Sequence, residues 1–145
     1  MLSVIIPAYN EEAMIEKTAS VISKILTDSG ISCELLFVDD GSNDKTWTKI
    51  TAVSSINPVV RGIHFSRNFG KEAAIMAGLT ESHGECCVVI DCDLQHPPEK
   101  IVEMYRLWEQ GYEIIEGQKS SRGTEGKLHT FAAKTFYSVI SAATG

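Results

Sequence analysis

Short apolar runs alternate with helical patterns along this chain, and that alternation restricts its fold more than any other feature. Between the runs, apolar residues recur every three or four positions, which is the spacing of an amphipathic helix. The predicted strands are Leu2–Pro7, Glu34–Val38, Val59–Phe65, Cys86–Ile90 and Tyr112–Glu116. Strands that alternate with helices pair in parallel and bury both faces of their sheet. We therefore predict an α/β fold, a mostly parallel sheet with helices on both faces, in one domain over residues 1–145.

Residues typical of helix ends bound the segments between the predicted strands. Asn10 and Asp44 are predicted N-caps, because their side chains can accept a hydrogen bond from the first turn of a helix. Gly111 is a predicted C-terminal stop, since glycine readily adopts the left-handed conformation that ends many helices. The third and the last helices are predicted over Lys71–Ser82 and Leu128–Ile140.

The composition excludes several classes of protein. A formal net charge of −6 and a pI near 5.2 argue against a nucleic-acid partner, which would require a basic surface. No stretch approaches the roughly 18 apolar residues that span a membrane, and Met1–Pro7 lacks the basic start of a signal peptide. The four cysteines fit no zinc-binding spacing, so we expect buried free thiols in a reducing cytosol.

Polar residues cluster where four of the predicted strands end. The clusters are Pro7–Glu11, Asp39–Ser42, Ser66–Lys71 and Asp91–Asp93. In an open parallel sheet these ends lie at one edge, which is where α/β proteins bind their ligands. Each cluster alone has an ordinary explanation as a turn or a solvated patch. Four mixed-charge clusters at one edge favour a binding site.

Asp91 and Asp93 form the most informative of these clusters. They lie one residue apart at the end of an apolar run, so in an extended chain their side chains point to the same face. Carboxylate oxygens are hard ligands that hold Mg²⁺ or Mn²⁺, and such a cation binds phosphate oxygens. The alternative is a solvated acidic turn, because an isolated D-x-D is a weak pattern.

Other residues at the same edge have complementary chemistry. Arg67 and Lys71 can bind further phosphate oxygens, and Tyr9 offers a flat surface for a base. Asp39 or Asp40 can accept hydrogen bonds from the polar edge of that base. The two common glycine-rich phosphate loops do not occur in the sequence, so we expect a metal and side chains to hold the phosphates.

Four segments together resemble the family 2 glycosyltransferases of GT-A fold. They read SVIIPAYNEE at Ser3–Glu12, VDDGSNDKT at Val38–Thr46, SRNFGKEAAIMAGL at Ser66–Leu79 and DCDLQHPPE at Asp91–Glu99. The last two most resemble the branch that transfers a sugar to a polyprenyl (dolichyl or undecaprenyl) phosphate. The resemblance runs from about residue 2 to the end of the chain and covers the nucleotide-sugar half of such an enzyme. It implies a Rossmann-like GT-A fold, the N-terminal part of a longer enzyme truncated before the acceptor half.

The resemblance also implies roles for individual residues. Those implied to bind the nucleotide are Pro7, Tyr9, Glu11 and Asp39, with Asp40, Arg67, Lys71 and Asp91 as further candidates. Asp91 and Asp93 are implied to bind the metal and the diphosphate, and Gln95 to line the metal site. Arg122 matches a second cationic position and joins the two aspartates as a catalytic candidate.

The implied reaction is a metal-assisted inverting displacement from a UDP- or GDP-linked sugar to a polyprenyl phosphate or a glycan. The Mg²⁺ or Mn²⁺ cofactor stabilises the leaving diphosphate. A polyprenyl phosphate is already anionic and needs no general base, whereas a sugar hydroxyl would need one from beyond Gly145. The basic segment Lys119–Lys127 suits the positioning of an anionic acceptor, and the alternative is a disordered surface loop without that role.

The resemblance also bears on cellular context. We expect the full-length enzyme at the cytoplasmic face of the membrane, attached through segments absent from this chain, and we leave a homo-oligomer open. The 145 residues alone are expected to bind a nucleoside diphosphate with metal but to turn over poorly. Two alternatives remain: a non-catalytic or truncated nucleotide-sugar-binding module and, remotely, a response-regulator receiver, whose acidic pair should follow the first strand instead of the second.

Overall fold

A computed structural model describes residues 1–117 of the chain. In chain order the elements are β1 (Leu2–Ala8), α1 (Ile15–Asp28), β2 (Cys33–Asp39), α2 (Thr46–Ile56), β3 (Val60–His64), α3 (Lys71–Glu81), β4 (Cys86–Val89) and α4 (Glu99–Glu109). Four predicted strands and the third predicted helix are confirmed to within two residues at each end. Arg122, the basic segment Lys119–Lys127 and the predicted helix Leu128–Ile140 lie outside the described residues.

The four strands form one parallel sheet in the order β3-β2-β1-β4. β1 lies in the interior, with Leu2 paired to Cys33 of β2 and to Cys86 of β4. A response-regulator receiver is a flavodoxin-like domain, with the strand order 2-1-3-4-5. The observed pairing of β3 with β2 therefore argues against that alternative. Because all strands run the same way, their carboxyl ends meet at one edge of the sheet.

Helices pack on both faces of this sheet, as predicted. On one face, fully buried Val4, Ile6 and Phe37 join the apolar residues of α1, α2 and α4 in the main core. On the other face, Leu36 and Val38 pack against Ala74 of α3. Both β1 and β2 are buried on both sides, which explains why their sequences read as continuous apolar runs instead of alternating patterns.

Glu34, near the start of β2, ties together the amino edge of the sheet. Its carboxylate is 5% exposed and accepts hydrogen bonds from Ser3 Oγ of β1 and from the His83 backbone N–H, each at 2.5 Å. Its second oxygen pairs with Arg61 of β3 at 2.6 Å. Burial raises the pKa of Glu34, but the hydrogen bonds from Ser3, His83 and Arg61 outweigh burial and hold that pKa below its usual value.

The prediction of a fifth strand over Tyr112–Glu116 is wrong. Within the described residues, this segment pairs with no strand of the sheet. The end of α4 takes the backbone group that a ladder would need. Gly111, in the left-handed region at φ 98°, lets its N–H bond to Trp108 and the Tyr112 N–H bond to Leu107. Gly111 thus ends the helix as predicted. Ile114 beyond it is 85% exposed.

The predicted N-cap at Asn10 is also wrong. The helix begins at Ile15, and Asn10 lies in the left-handed region at φ 55°. Its N–H donates to Ser42 Oγ and its side-chain oxygen accepts from the Asn43 N–H, each at 2.9 Å, so a tertiary contact outcompetes the cap. Asp44 is not the N-cap of α2 either, since that position is Lys45, but its carboxylate accepts the N–H of Thr46, the first residue of α2, at 2.9 Å.

The cysteines were predicted to be free and buried, and only part of the predicted burial is observed. All four cysteines are free, but Cys92 alone is buried and Cys87 is exposed. Within residues 1–117, no helix combines the length and the hydropathy required to cross a bilayer.

Candidate functional site

A cavity of about 450 Å³ opens at the carboxyl edge of the sheet, beside the start of α3. All four predicted polar clusters contribute to its wall. The lining residues are Pro7, Ala8, Tyr9, Glu11, Asp40, Asn68, Gly70, Lys71, Asp91, Cys92 and Asp93. A larger groove of about 580 Å³ lies between α1 and α2, but its Lys24 and Asp28 only pair with each other. The cavity at the carboxyl edge, by contrast, brings acidic groups and a lysine from the ends of different strands to one space.

The acidic pair after β4 is arranged as its spacing predicts. Cys92 between the two aspartates points into the core, where it is 3% exposed, and burial raises the pKa of its thiol to about 12. The Cys92 carbonyl accepts a hydrogen bond from Thr18 Oγ1 of α1 at 2.6 Å, which anchors this backbone to the core. Asp91 and Asp93 flank it and both line the cavity.

Glu11, after β1, brings a third carboxylate to the same space. Burial raises the pKa of Glu11, and the nearby charges of Asp93, Asp44 and Asp91 raise it further. Glu11, Asp91 and Asp93 together make the wall of the cavity acidic. Hard carboxylate oxygens are the ligands that Mg²⁺ and Mn²⁺ prefer, and Asp91 and Asp93 are predicted to bind such a cation. No group of three or more His, Cys, Asp or Glu side chains in the described part of the chain is close enough to hold a metal.

Lys71 introduces a positive charge at the wall of the cavity. It is the first residue of α3, and its ammonium forms an ion pair with Asp91 Oδ1. Both side chains of the pair are about half exposed. The structure thus brings together a predicted phosphate-binding lysine and a predicted metal-binding aspartate.

Asp40 lines the cavity, but its oxygens are already occupied. The residue is 4% exposed, and its carboxylate accepts the N–H of Phe69 at 2.7 Å and the N–H of Gly70 at 3.0 Å. It therefore holds the turn that precedes α3. The next residue, Gly41, has φ 67°, and a Cβ there would lie 2.2 Å from the Arg67 carbonyl carbon. The turns after β2 and β3 therefore contact each other through their backbones.

Asp39 lies beneath the cavity instead of in its wall. Its side chain is fully buried, with one oxygen accepting the Ser42 N–H at 3.1 Å and the other accepting His64 Nδ1–H at 2.7 Å. The His64 ring stacks on Trp47, with centroids 4.8 Å apart. His64 was not predicted from the sequence, because nothing along the chain indicates that it contacts Asp39, which lies 25 positions earlier.

Three other predicted site residues lie at the surface. Tyr9 is 44% exposed in the cavity wall, and its hydroxyl accepts a long hydrogen bond of 3.5 Å from Asn43. Arg67 does not line the cavity, and its guanidinium lies over the Phe69 ring, 4.8 Å from the centroid. Gln95 is exposed outside the cavity wall, with its backbone N–H bonded to Asp93 at 3.0 Å. Pro7, by contrast, lines the cavity as expected.

Sequence comparison matches residues 3–138 to the model of glycosyl transferase family 2. An uncharacterized glycosyltransferase, YkcC of Bacillus subtilis, is 40% identical over 142 residues, which are 98% of this chain and 44% of that protein. A bactoprenol glucosyl transferase of Shigella phage SfV is 35% identical over 136 residues, 94% of this chain and 44% of that protein. This chain thus spans under half the length of these curated relatives.

Structure comparison finds the same fold. TarS of Staphylococcus aureus, residues 1–349, superposes with a TM-score of 0.66 at 21% identity, over 86% of this chain and 38% of that one. The mannosyltransferase PcManGT of Pyrobaculum calidifontis, solved with GDP-Man and Mn²⁺, superposes with a TM-score of 0.58 at 24% identity, over 70% and 30%. These likenesses confirm the expected GT-A fold.

Proposed function

This chain belongs to glycosyl transferase family 2, and we propose that its carboxyl-edge cavity binds the diphosphate of a nucleotide-sugar donor. The observation that carries the proposal is the convergence of Asp91, Asp93 and Lys71 on one space beside Tyr9. Carboxylates that can hold a cation, an ammonium for phosphate oxygens and an aromatic ring for a base are the groups that such a donor requires.

Different residues of the site are proposed to contact different parts of the donor. Tyr9 and Pro7 are proposed to contact the base, and Lys71 a phosphate oxygen, with Arg67 reaching the phosphates from outside the wall. Asp39 is proposed to support nucleotide binding indirectly, because its carboxylate fixes the turn after β2 through the Ser42 N–H. Asp91 and Asp93, with Gln95 beside them, are proposed to hold Mg²⁺ or Mn²⁺, which when bound supplies Lewis-acid stabilisation of the leaving diphosphate. PcManGT, solved with GDP-Man and Mn²⁺, supports this chemistry.

For the whole protein we infer transfer of the sugar to a polyprenyl phosphate. The relative from phage SfV, named for bactoprenol, supports this acceptor class. A phosphate monoester is anionic at neutral pH, so it can attack the sugar from the face opposite the leaving diphosphate without a general base. Arg122 is proposed to position that anion. We further propose that the reaction takes place at the inner face of the membrane, where a lipid acceptor and a nucleotide-sugar donor could meet.

Calorimetric titration of the 145-residue chain with UDP and with GDP tests the donor site. We expect one nucleotide to bind with Mn²⁺, and binding to weaken at least about tenfold with a chelator or in the Asp93→Ala variant, because the phosphates then lose their counter-charge. Asp28→Ala, which removes an exposed acid that pairs with Lys24, is the matched control and should bind normally. Nucleotide binding that ignores metal and survives Asp93→Ala would refute the site.

A further inference from the structure

The Lys71 ammonium partly neutralises the negative charge of a cavity that is otherwise acidic. Among residues 1–117, it is the one cationic side chain in the wall, whereas Glu11, Asp91 and Asp93 bring negative charge. The charge of Asp40 is directed at two backbone N–H groups and contributes little to the open space. The ammonium of Lys71 is therefore the local counter-charge of the acids.

Lys71 contacts one of the two aspartates that are proposed to bind the metal of the donor site. Its ammonium pairs with Asp91 Oδ1, on an aspartate that the proposed function gives to a divalent cation. An ammonium and a divalent cation at one carboxylate repel each other strongly at such short separation. The two cations therefore compete for Asp91.

The ion pair is built so that it can be exchanged. Its two side chains are 54% and 43% exposed, and partly exposed pairs change an equilibrium constant by roughly fivefold or less. The backbone of Lys71, by contrast, is fixed, because Asp40 holds the N–H groups of Phe69 and Gly70 immediately before it. A flexible four-carbon side chain can then turn about a stationary Cα.

We propose that Lys71 is an exchangeable counter-ion, which holds Asp91 in the donor-free protein and passes to a donor phosphate when a divalent cation takes its place. This inference rests on the proposed donor site. It assigns Lys71 two successive anionic partners, a carboxylate and then a phosphate. It follows that the metal alone binds weakly, that the nucleoside diphosphate relieves the competition, and that the two ligands bind cooperatively.

The experiment measures Mn²⁺ binding by electron paramagnetic resonance, on the 145-residue chain, without nucleotide and with the nucleoside diphosphate that binds better. Lys71→Met should tighten Mn²⁺ binding in the absence of nucleotide by roughly two- to fivefold, because the competitor is gone. The same variant should weaken nucleotide binding at saturating Mn²⁺ by roughly tenfold, because a charge-assisted phosphate contact is lost. Lys71→Arg keeps the charge and should stay near the wild type in Mn²⁺ binding.

Lys24→Met is the matched control. It removes the same charge from another exposed Lys–Asp pair, between Lys24 and Asp28 at 2.8 Å, away from the cavity. It should leave both affinities unchanged, which separates local competition from the general effect of net charge. Thermal unfolding of all variants checks that they are folded.

The outcomes separate the two proposals. Lys71→Met with unchanged or weaker Mn²⁺ binding overturns the counter-ion inference, even if wild-type nucleotide binding remains metal-dependent. Wild-type protein whose nucleotide binding is insensitive to Mn²⁺ and to Asp93→Ala overturns the donor site itself. Opposite changes in metal and nucleotide affinity in Lys71→Met support the inference, since a merely structural role would shift both in one direction.

Discussion

Gly41 is a residue at which neighbouring backbone leaves no space for a side chain. Its φ of 67° lies in the left-handed region, and a Cβ would overlap the Arg67 backbone at 2.2 to 2.6 Å. Gly30 provides a natural comparison, because it has nearly the same φ of 68° with nothing within 4 Å of a would-be Cβ. The two glycines thus separate the cost of the dihedral angle from the cost of the clash.

We predict that Gly41→Ala lowers the free energy of unfolding by about 3 kcal/mol or more, since strain of 1–2 kcal/mol is added to a clash with immovable backbone. Gly30→Ala should cost only about 1 kcal/mol, which is the strain alone. Urea denaturation of both variants measures the difference. Equal losses would mean that the turn at Arg67 moves away freely.

Asp40 should contribute to stability rather than to direct ligand contact. Asp40→Ala leaves the partly buried N–H groups of Phe69 and Gly70 without their carboxylate acceptor, so we predict a loss of about 2–3 kcal/mol in urea denaturation. Asp28→Ala, at an exposed ion pair, should cost less than about 0.5 kcal/mol. A small loss for Asp40→Ala would show that water replaces the carboxylate.

The neighbouring aspartates show how far the sequence predicts individual roles. The spacing of Asp91 and Asp93 predicts a shared face, because alternation along an extended chain is local geometry. Asp39 and Asp40 look alike in sequence, yet one bonds to His64 and the other to the turn before α3. Those partners lie 25 and 30 residues away, so only the folded chain distinguishes the two carboxylates.

At the scale of elements, Glu34 joins three strands and the loop before β4 through a single carboxylate. We predict that Glu34→Gln lowers the free energy of unfolding by about 2 kcal/mol at pH 7, since an amide has one acceptor oxygen and cannot accept from both the His83 N–H and Arg61. Glu16→Gln, which removes the charge of an exposed acid paired with Lys49, should cost less than about 0.5 kcal/mol. Chemical denaturation provides the comparison.

The acid dependence of that difference has a definite sign. The pKa of Glu34 in the folded protein lies below its ordinary value of 4.5, so the ionised carboxylate stabilises the fold above that pH. The stabilisation is lost as the pH falls below 4.5 and through the lowered pKa. The gap between wild type and Glu34→Gln should therefore narrow between pH 7 and about pH 3. A gap that is constant with pH would exclude an electrostatic origin.

Elements were predictable where local patterns decide them. β1 and β2 are buried on both faces, and such strands require unbroken apolar runs that are visible in the sequence. Tyr112–Glu116 has a suitable composition, but a strand also needs a free N–H ladder, and the α4 terminus uses the Tyr112 N–H. Asn10 has the side chain of an N-cap, but it forms hydrogen bonds with the turn at Ser42 and Asn43 instead. Both errors arise from contacts between distant segments.

At the scale of the whole molecule, donor binding should appear as thermal stabilisation. A nucleoside diphosphate at 100 times its Kd adds about 2.7 kcal/mol to the folded state, which corresponds to a rise in Tm of roughly 6–10 °C for a domain of this size. We expect this rise for UDP or GDP with Mn²⁺, and a smaller rise for ADP or in the presence of a chelator. Differential scanning fluorimetry measures it, and an equal shift with ADP would mean that the base is not recognised.

The sheet separates the residues that maintain the fold from those proposed to bind the donor. The Glu34 hydrogen bonds lie at the amino edge, whereas the acidic cavity lies at the carboxyl edge. Cys87, paired in register with Ser3 near the amino edge, is exposed, while Cys92 beside the cavity is buried and has a pKa of about 12. A maleimide fluorophore should therefore attach at Cys87 in preference to Cys92, since the thiolate is the reactive form. The molecule thus provides its own attachment point for an optical sensor of the proposed donor, away from the surface that is proposed to bind it.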